Sequence, residues 1–264
     1  MRRLSALLPS RASRDQEMPV VDRMAAAHAA SQRQNYKTAL AIWGPLAQAG
    51  VARAQNNIGA CFAEGLGVER DMQLVLRWLT LAAGAGDPVG QRNLAAVYFK
   101  GEGVEPDPQR AAELYRAEAG DGPAQDVLSW MLLEGEMVAP DLLVAKRWAE
   151  AAAAQGVAAS MTRLGMIYHN ALGVERDAAA AVKWWDKAAA RGDADAQAML
   201  GAAYHLGAGV PRDPVAALAW LVRAQNGGST LAAPFTQAAR SGVGPADADR
   251  ARKLAELPLP EPVA

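Results

Sequence analysis

Leu66-Gly67-Val68-Glu69-Arg70-Asp71 returns, letter for letter, as Leu172-Gly173-Val174-Glu175-Arg176-Asp177. Self-similarity at a fixed period sets the architecture before any local motif is weighed. Working outward, Asp71, Asp107, Asp141, Asp177 and Asp213 stand 36, 34, 36 and 36 residues apart. A related turn precedes each: Gly65-x-Gly67-Val68, Gly101-x-Gly103-Val104, Gly135-x-Met137-Val138, Ala171-x-Gly173-Val174 and Gly207-x-Gly209-Val210. Four residues after each aspartate come Val75, Ala111, Ala145, Ala181 and Ala217. Seven after come Trp78, Leu114, Trp148, Trp184 and Trp220, with Tyr115 and Trp185 one residue on.

Each period predicts two helices. The first carries Ile58-Gly59 with Phe62, Leu94-Ala95 with Tyr98, Leu164-Gly165 with Tyr168, and Leu200-Gly201 with Tyr204. An apolar residue followed four later by an aromatic marks one helical face, and the small residue beside it admits a neighbouring helix. The glycine after the aromatic stops that helix in a left-handed conformation that other residues adopt only with strain. Aspartate then caps the second helix by accepting from its free amides. Pro108 and Pro214 follow at the first helical position, where proline fits best. The second helices should end near Gly86, Gly122, Gly156, Gly192 and Gly228. Asn35 lies 36 residues before Asp71 and is placed to cap a helix from Tyr36 to Ala49, with another over Val20 to Gln34 ahead of it.

The resulting plan is five units at 52–87, 88–121, 122–157, 158–193 and 194–229. N-terminal capping helices over 18–51 and a degenerate capping repeat over 230–257 flank them, since end units must show water a polar face. Residues 1–17 read as a disordered tail and 258–264 as a Pro-rich one.

Composition agrees with helices and excludes several functions. Hydrophobic residues make up 51% of the chain but aromatics only 6%, and the alanine behind that gap favours close-packed helices over a sheet core. Against 27 basic residues stand 28 acidic ones, so the net charge of −1 offers no footprint for nucleic acid or an anionic membrane. Cys61 alone can make neither an internal disulfide nor a thiolate metal cluster. No stretch reaches the roughly 20 apolar residues that span a bilayer. Met1-Arg2-Arg3 and the apolar residues to Leu8 are too short for a signal core of about 7–15 residues. The expected compartment is the cytoplasm, with export lacking a recognisable signal as the alternative.

The unit A-x-A-x-x-x-L-G-x-x-Y-x-x-G-x-G-V-x-x-D, then an alanine, a tryptophan and A-A-x-x-G, resembles the Sel1-like repeat, a relative of the tetratricopeptide repeat. Ala194-x-Ala196 through Leu200-Gly201, Tyr204, Gly207-x-Gly209-Val210, Asp213 and Trp220 is a near-complete match. The likeness covers about residues 35–228. The third unit departs most, with Ser129 for the small Gly/Ala, Leu132 for the aromatic and Met137 for the second glycine. The resemblance implies an all-α, right-handed α-solenoid, an αα superhelix, used as an adaptor or scaffold for other proteins. It implies no catalytic residue, cofactor or metal.

Function should then reside in positions that vary between units. If the first helices line a concave face as in tetratricopeptide repeats, the partner-binding candidates are Arg92, Phe99, Lys100, Asp126, Trp130, Glu134, Met166, His169, Asn170 and His205. Asn56, Thr162, Ala198 and Ala202 share their register. Phe99, Trp130 and Met166 supply apolar anchors and the charged residues a rim, with Trp130 alternatively filling space left by Ser129 and Leu132. The repeated tryptophans, by contrast, read as core or inter-repeat packing, and Cys61 as a buried, inert thiol. The expected function is a non-catalytic protein–protein interaction scaffold that binds a protein or peptide, with neither nucleic acid nor membrane as partner. Two alternatives remain. His169 and His205 lie 36 residues apart, at matched positions on adjacent helices whose axes pack roughly 8–10 Å apart, so both imidazoles could reach one metal. No third ligand is apparent. Cysteine-rich relatives resemble β-lactam hydrolases, but those carry paired cysteines in each repeat, and Cys61 has no pair.

Overall fold

The computed structural model describes residues 18–117 and 120–259, and every regular element in them is a helix. The tail read at 1–17, and residues 260–264 of the Pro-rich one, lie outside the described residues. The chain forms two compact units, divided between residues 118 and 119. The first contains α1 (Val20–Gln32), α2 (Tyr36–Gln48), α3 (Ala52–Glu64), α4 (Met72–Gly84), α5 (Pro88–Lys100) and α6 (Pro108–Ala117). The second contains α7 (Gly122–Glu134), α8 (Leu142–Ala154), α9 (Ala158–Asn170), α10 (Ala178–Ala189), α11 (Ala194–Leu206), α12 (Pro214–Asn226), α13 (Ala233–Ser241) and α14 (Pro245–Glu256). Within each unit a helix packs mainly on its neighbours in sequence, the pattern of an α-solenoid. Among the described residues no helix is long and apolar enough to cross a membrane.

The turn inside each helix pair is built the same way five times. The predicted caps are all made: Asp71, Asp107, Asp141, Asp177 and Asp213 accept from amides two or three residues on, at 2.8–3.1 Å. The backbone amide of each aspartate also donates back to the residue at the aromatic position. Its partners are the carbonyls of Phe62, Tyr98, Leu132, Tyr168 and Tyr204, at 2.8–3.2 Å. One residue thus satisfies the orphan amides of the helix it starts and ties the turn to the helix just ended. The first helices stop in the left-handed region as expected, for example at Gly207 with φ 71°. In the fourth repeat alanine holds that place, Ala171 with φ 58°. The second glycine of the turn is a close contact, since a β-carbon at Gly103 would lie 2.6 Å from that of Met72 at the start of α4.

The core differs from expectation in two details. Gly122 does not end a helix; it is buried in the first turn of α7, behind the capping Asp121. The two-residue deletion before the third unit puts Gly120, just ahead of the capping Asp121, in register with Gly86. More consequentially, Trp78, Trp148, Trp184 and Trp220 are only half-buried, and the fully packed ring sits one residue later. There stand Leu79, Tyr115, Ala149, Trp185 and Leu221, each at most 3% exposed. An advance of 100° along a helix turns a residue from its flank to its centre line. Three of these flanking tryptophans pack against the core and also lie under cations: Arg77 is 6.0 Å from the Trp78 ring, Lys187 5.6 Å from Trp184, and Arg223 5.1 Å from Trp220.

Candidate functional site

Counting from the first residue of α3, α5, α7, α9 and α11, positions 5, 9, 12 and 13 share one helical face. At two of the five helices position 5 reaches the next repeat. In the first unit the Asn93 side-chain amide donates to Asn56 Oδ1 at 2.9 Å. In the second, Asp126 accepts from the hydroxyl of Ser160 and the guanidinium of Arg163, both on α9. Asp126 and Arg163 are only 17% and 14% exposed. Asp126 is therefore a clamp between repeats rather than a rim charge, because α7 and α9 lie side by side and bring the guanidinium onto its carboxylate. Thr162 returns its hydroxyl to Ala158 O at 3.2 Å, its carbonyl accepts from Trp185 Nε1 at 3.3 Å, and Ala198 is buried. Arg92 is half-buried, and its charge acts on Tyr115, whose phenol burial pushes up to about 12 while Arg92 pulls it down.

Apart from Ala202, the other positions reach the surface. In the first unit Phe99 is half-buried and Lys100 exposed, 3.8 Å from Glu102. In the second, Trp130 is half-buried, and Glu134 and Asn170 are exposed. Met166 is 39% exposed and Leu206 61%, while Ala202 is buried. His169 and His205 are half-buried. The His169 ring leans on Trp185 at 5.5 Å, and the His205 carbonyl accepts from Arg212 Nε at 3.0 Å. Among the described residues no group of three or more His, Cys, Asp or Glu could hold a metal ion. The face of the second unit thus presents the apolar side chains of Trp130, Met166 and Leu206 beside His169, Asn170, His205 and the exposed Glu134.

Position 4 carries a role that the sequence reading missed. The side-chain amides of Gln55, Gln91 and Gln197 donate to Ala47 O at 3.1 Å, Ala83 O at 3.3 Å and Ala189 O at 3.2 Å. Each serves a carbonyl in the last turn of the preceding helix, where intrahelical donors run out. The signal was present: glutamine stands at this position in four of five repeats, as Gln55, Gln91, Gln125 and Gln197. First-helix caps were also missed, at Asp87, Asp121 and Asp193.

The family model of the Sel1 repeat matches residues 52–87, 88–117, 122–157, 158–193 and 194–229. Among curated proteins, none matches the chain. A protective antigen present in uropathogenic Escherichia coli strains, displaying an SLR fold, is similar with TM-score 0.85 and 27% identity over 92% of this chain. The chain spans about half of that antigen, 53% of its length. A Sel1 repeat protein from Oxalobacter formigenes is similar with TM-score 0.79 and 26% identity, over 91% of this chain and 99% of that one. With five matched repeats over most of its length, on an all-helical fold shared with these structures, the chain belongs to the Sel1 repeat family.

Proposed function

We propose that the chain is a non-catalytic scaffold that grips an extended or helical segment of a partner protein on its first-helix faces. Sel1 repeats commonly mediate protein–protein interaction, which supports the class of function. One observation carries the reading to particular residues. Side chains that recur with the period are absorbed by caps, turns and core, whereas positions 9, 12 and 13 vary and leave Met166 and Leu206 open to water. Exposed large apolar groups rimmed by polar ones mark binding surfaces, and methionine adapts to irregular partners. In the second unit Trp130, Met166, His169, Asn170, His205 and Glu134 form this surface; in the first, Arg92, Phe99 and Lys100 do. Asp126 acts through the clamp that holds α7 against α9.

Site-specific photocrosslinking in the native cell tests the proposal. A benzophenone amino acid at Met166 or His205 should capture one discrete partner. Trp130→Ala with Arg92→Ala should weaken that capture at least tenfold in a folded protein. Equal capture from Leu143, which is 63% exposed at the start of α8, would refute the choice of face.

A further inference from the structure

The repeats are their own controls, and two notches break the pattern; the one at the fifth repeat, about 380 Å³ and lined by Leu218 and Val222, is walled by Arg240, Asp249 and Arg252. In the first unit an open notch of about 530 Å³ lies where α4 meets α5 and the turn that follows it. Leu76, Arg77, Thr80 and Leu81 line it from α4, with Tyr98 from α5 and Val104 from the turn. Leu81 is 45% exposed. The matching positions in the third and fourth repeats carry charge. There Lys146 bonds Glu150 at 2.7 Å and its ammonium lies 5.7 Å from the Tyr168 ring, covering the equivalent of Tyr98. One interval later Asp186 faces Tyr204: burial and then the Asp186 charge raise that phenol, and burial raises the Asp186 carboxyl itself. Where those intervals are closed by their own polar side chains, the α4–α5 interval offers leucine, valine and a tyrosine ring, and Arg77 is the charged member of its lining.

We infer that this notch is a second docking site, receiving a bulky apolar side chain from an acidic segment of a partner protein. The apolar walls call for a leucine- or phenylalanine-sized group, and the Arg77 guanidinium for carboxylates beside it. Tyr98 stands at position 11 of its helix, turned away from the position 5, 9 and 12 face, so the site is separate from the recognition surface proposed above. Its failure would leave that surface standing.

The test uses the full chain with labelled leucine and valine methyls, titrated with acetyl-Glu-Glu-Phe-Leu-Glu-Glu-amide and with the same peptide carrying lysine for glutamate. The acidic peptide should shift the Leu76, Leu81 and Val104 methyls saturably, and the lysine peptide should bind at least tenfold more weakly. Arg77→Glu, at an exposed site, should reverse that order, which a merely structural residue would not do. Leu81→Glu should abolish the shifts with the helical circular dichroism retained; if helicity falls, Arg77→Glu alone decides. No saturable shift at millimolar peptide, or equal affinity for both peptides, overturns the inference. So does concentration-dependent dimerisation that Leu81→Glu removes, which would assign the notch to a second copy of the chain.

Discussion

At the scale of single residues, the period exposes what each position must do and where one residue does it badly. Four of the five first helices end on glycine in the left-handed region; the fourth ends on Ala171. That conformation costs alanine about 1–2 kcal/mol. Glycine's greater freedom in the unfolded chain returns about 0.4–1 kcal/mol of the difference. Ala171→Gly should therefore raise stability by about 0.5–1 kcal/mol. The urea midpoint of the variant should move up, and a midpoint that falls would mean that the Ala171 side chain makes a contact worth more than the strain. The same alignment shows where reading by letters fails. Tryptophan repeats seven residues after the aspartate, a regularity that points to core or inter-repeat packing without saying which. The buried place is one further on, filled by Leu, Tyr, Ala, Trp and Leu, so no single letter repeats there. Packing conserves volume between partners rather than residue identity.

At the scale of elements, that volume is set by pairs across each hairpin. A β-carbon at Gly59 would lie 2.9 Å from Leu79 Cδ2, one at Gly201 2.7 Å from Leu221 Cγ, and one at Gly165 would overlap the Trp185 indole. In the third repeat Ser129 takes the glycine's place, and the position facing it is Ala149 rather than a large residue. The exchange was visible in the sequence only as a departure at Ser129. Its compensating alanine lies 20 residues away, on the other helix of the hairpin. Titration reports on these interfaces too. Asp186 lies between α10 and α11, and burial raises its pKa above the usual 3.8. The folded state therefore holds the proton at pH values where the unfolded chain has released it. Stability falls as pH rises through that window, and the full penalty applies at neutral pH. Asp186→Asn should raise the urea midpoint at pH 7, with the gain vanishing near about pH 3, where the carboxyl is protonated in both states. A gain of equal size at both pH values would show that charge is not its source.

For the molecule as a whole, nearest-neighbour packing decides how far damage travels. Helix identity, hairpin order and family could be read from the period because each repeat restates the same local physics. The clamp at Asp126 and the polar covers at Lys146 and Asp186 could not, because they depend on which side chains two successive repeats bring together. If stability is a sum of such local terms, a cavity in one repeat should loosen that repeat and spare distant ones. Trp185 is 3% exposed and packs against α9, α10 and α11, so Trp185→Ala should cost about 3–5 kcal/mol locally. In hydrogen exchange of the intact chain, amides of Ala158–Asn170 and Ala178–Ala189 should then lose protection by at least about a hundredfold. Those of Pro245–Glu256 in the same unit, packed on α12 and held through Arg223 Nη2 bonds to Leu254 O at 2.6 Å and Leu257 O at 2.8 Å, should change by less than about threefold. Loss of protection by the same factor throughout 120–259 would mean that the unit opens as one cooperative block, and repeat-local stability would have to be abandoned.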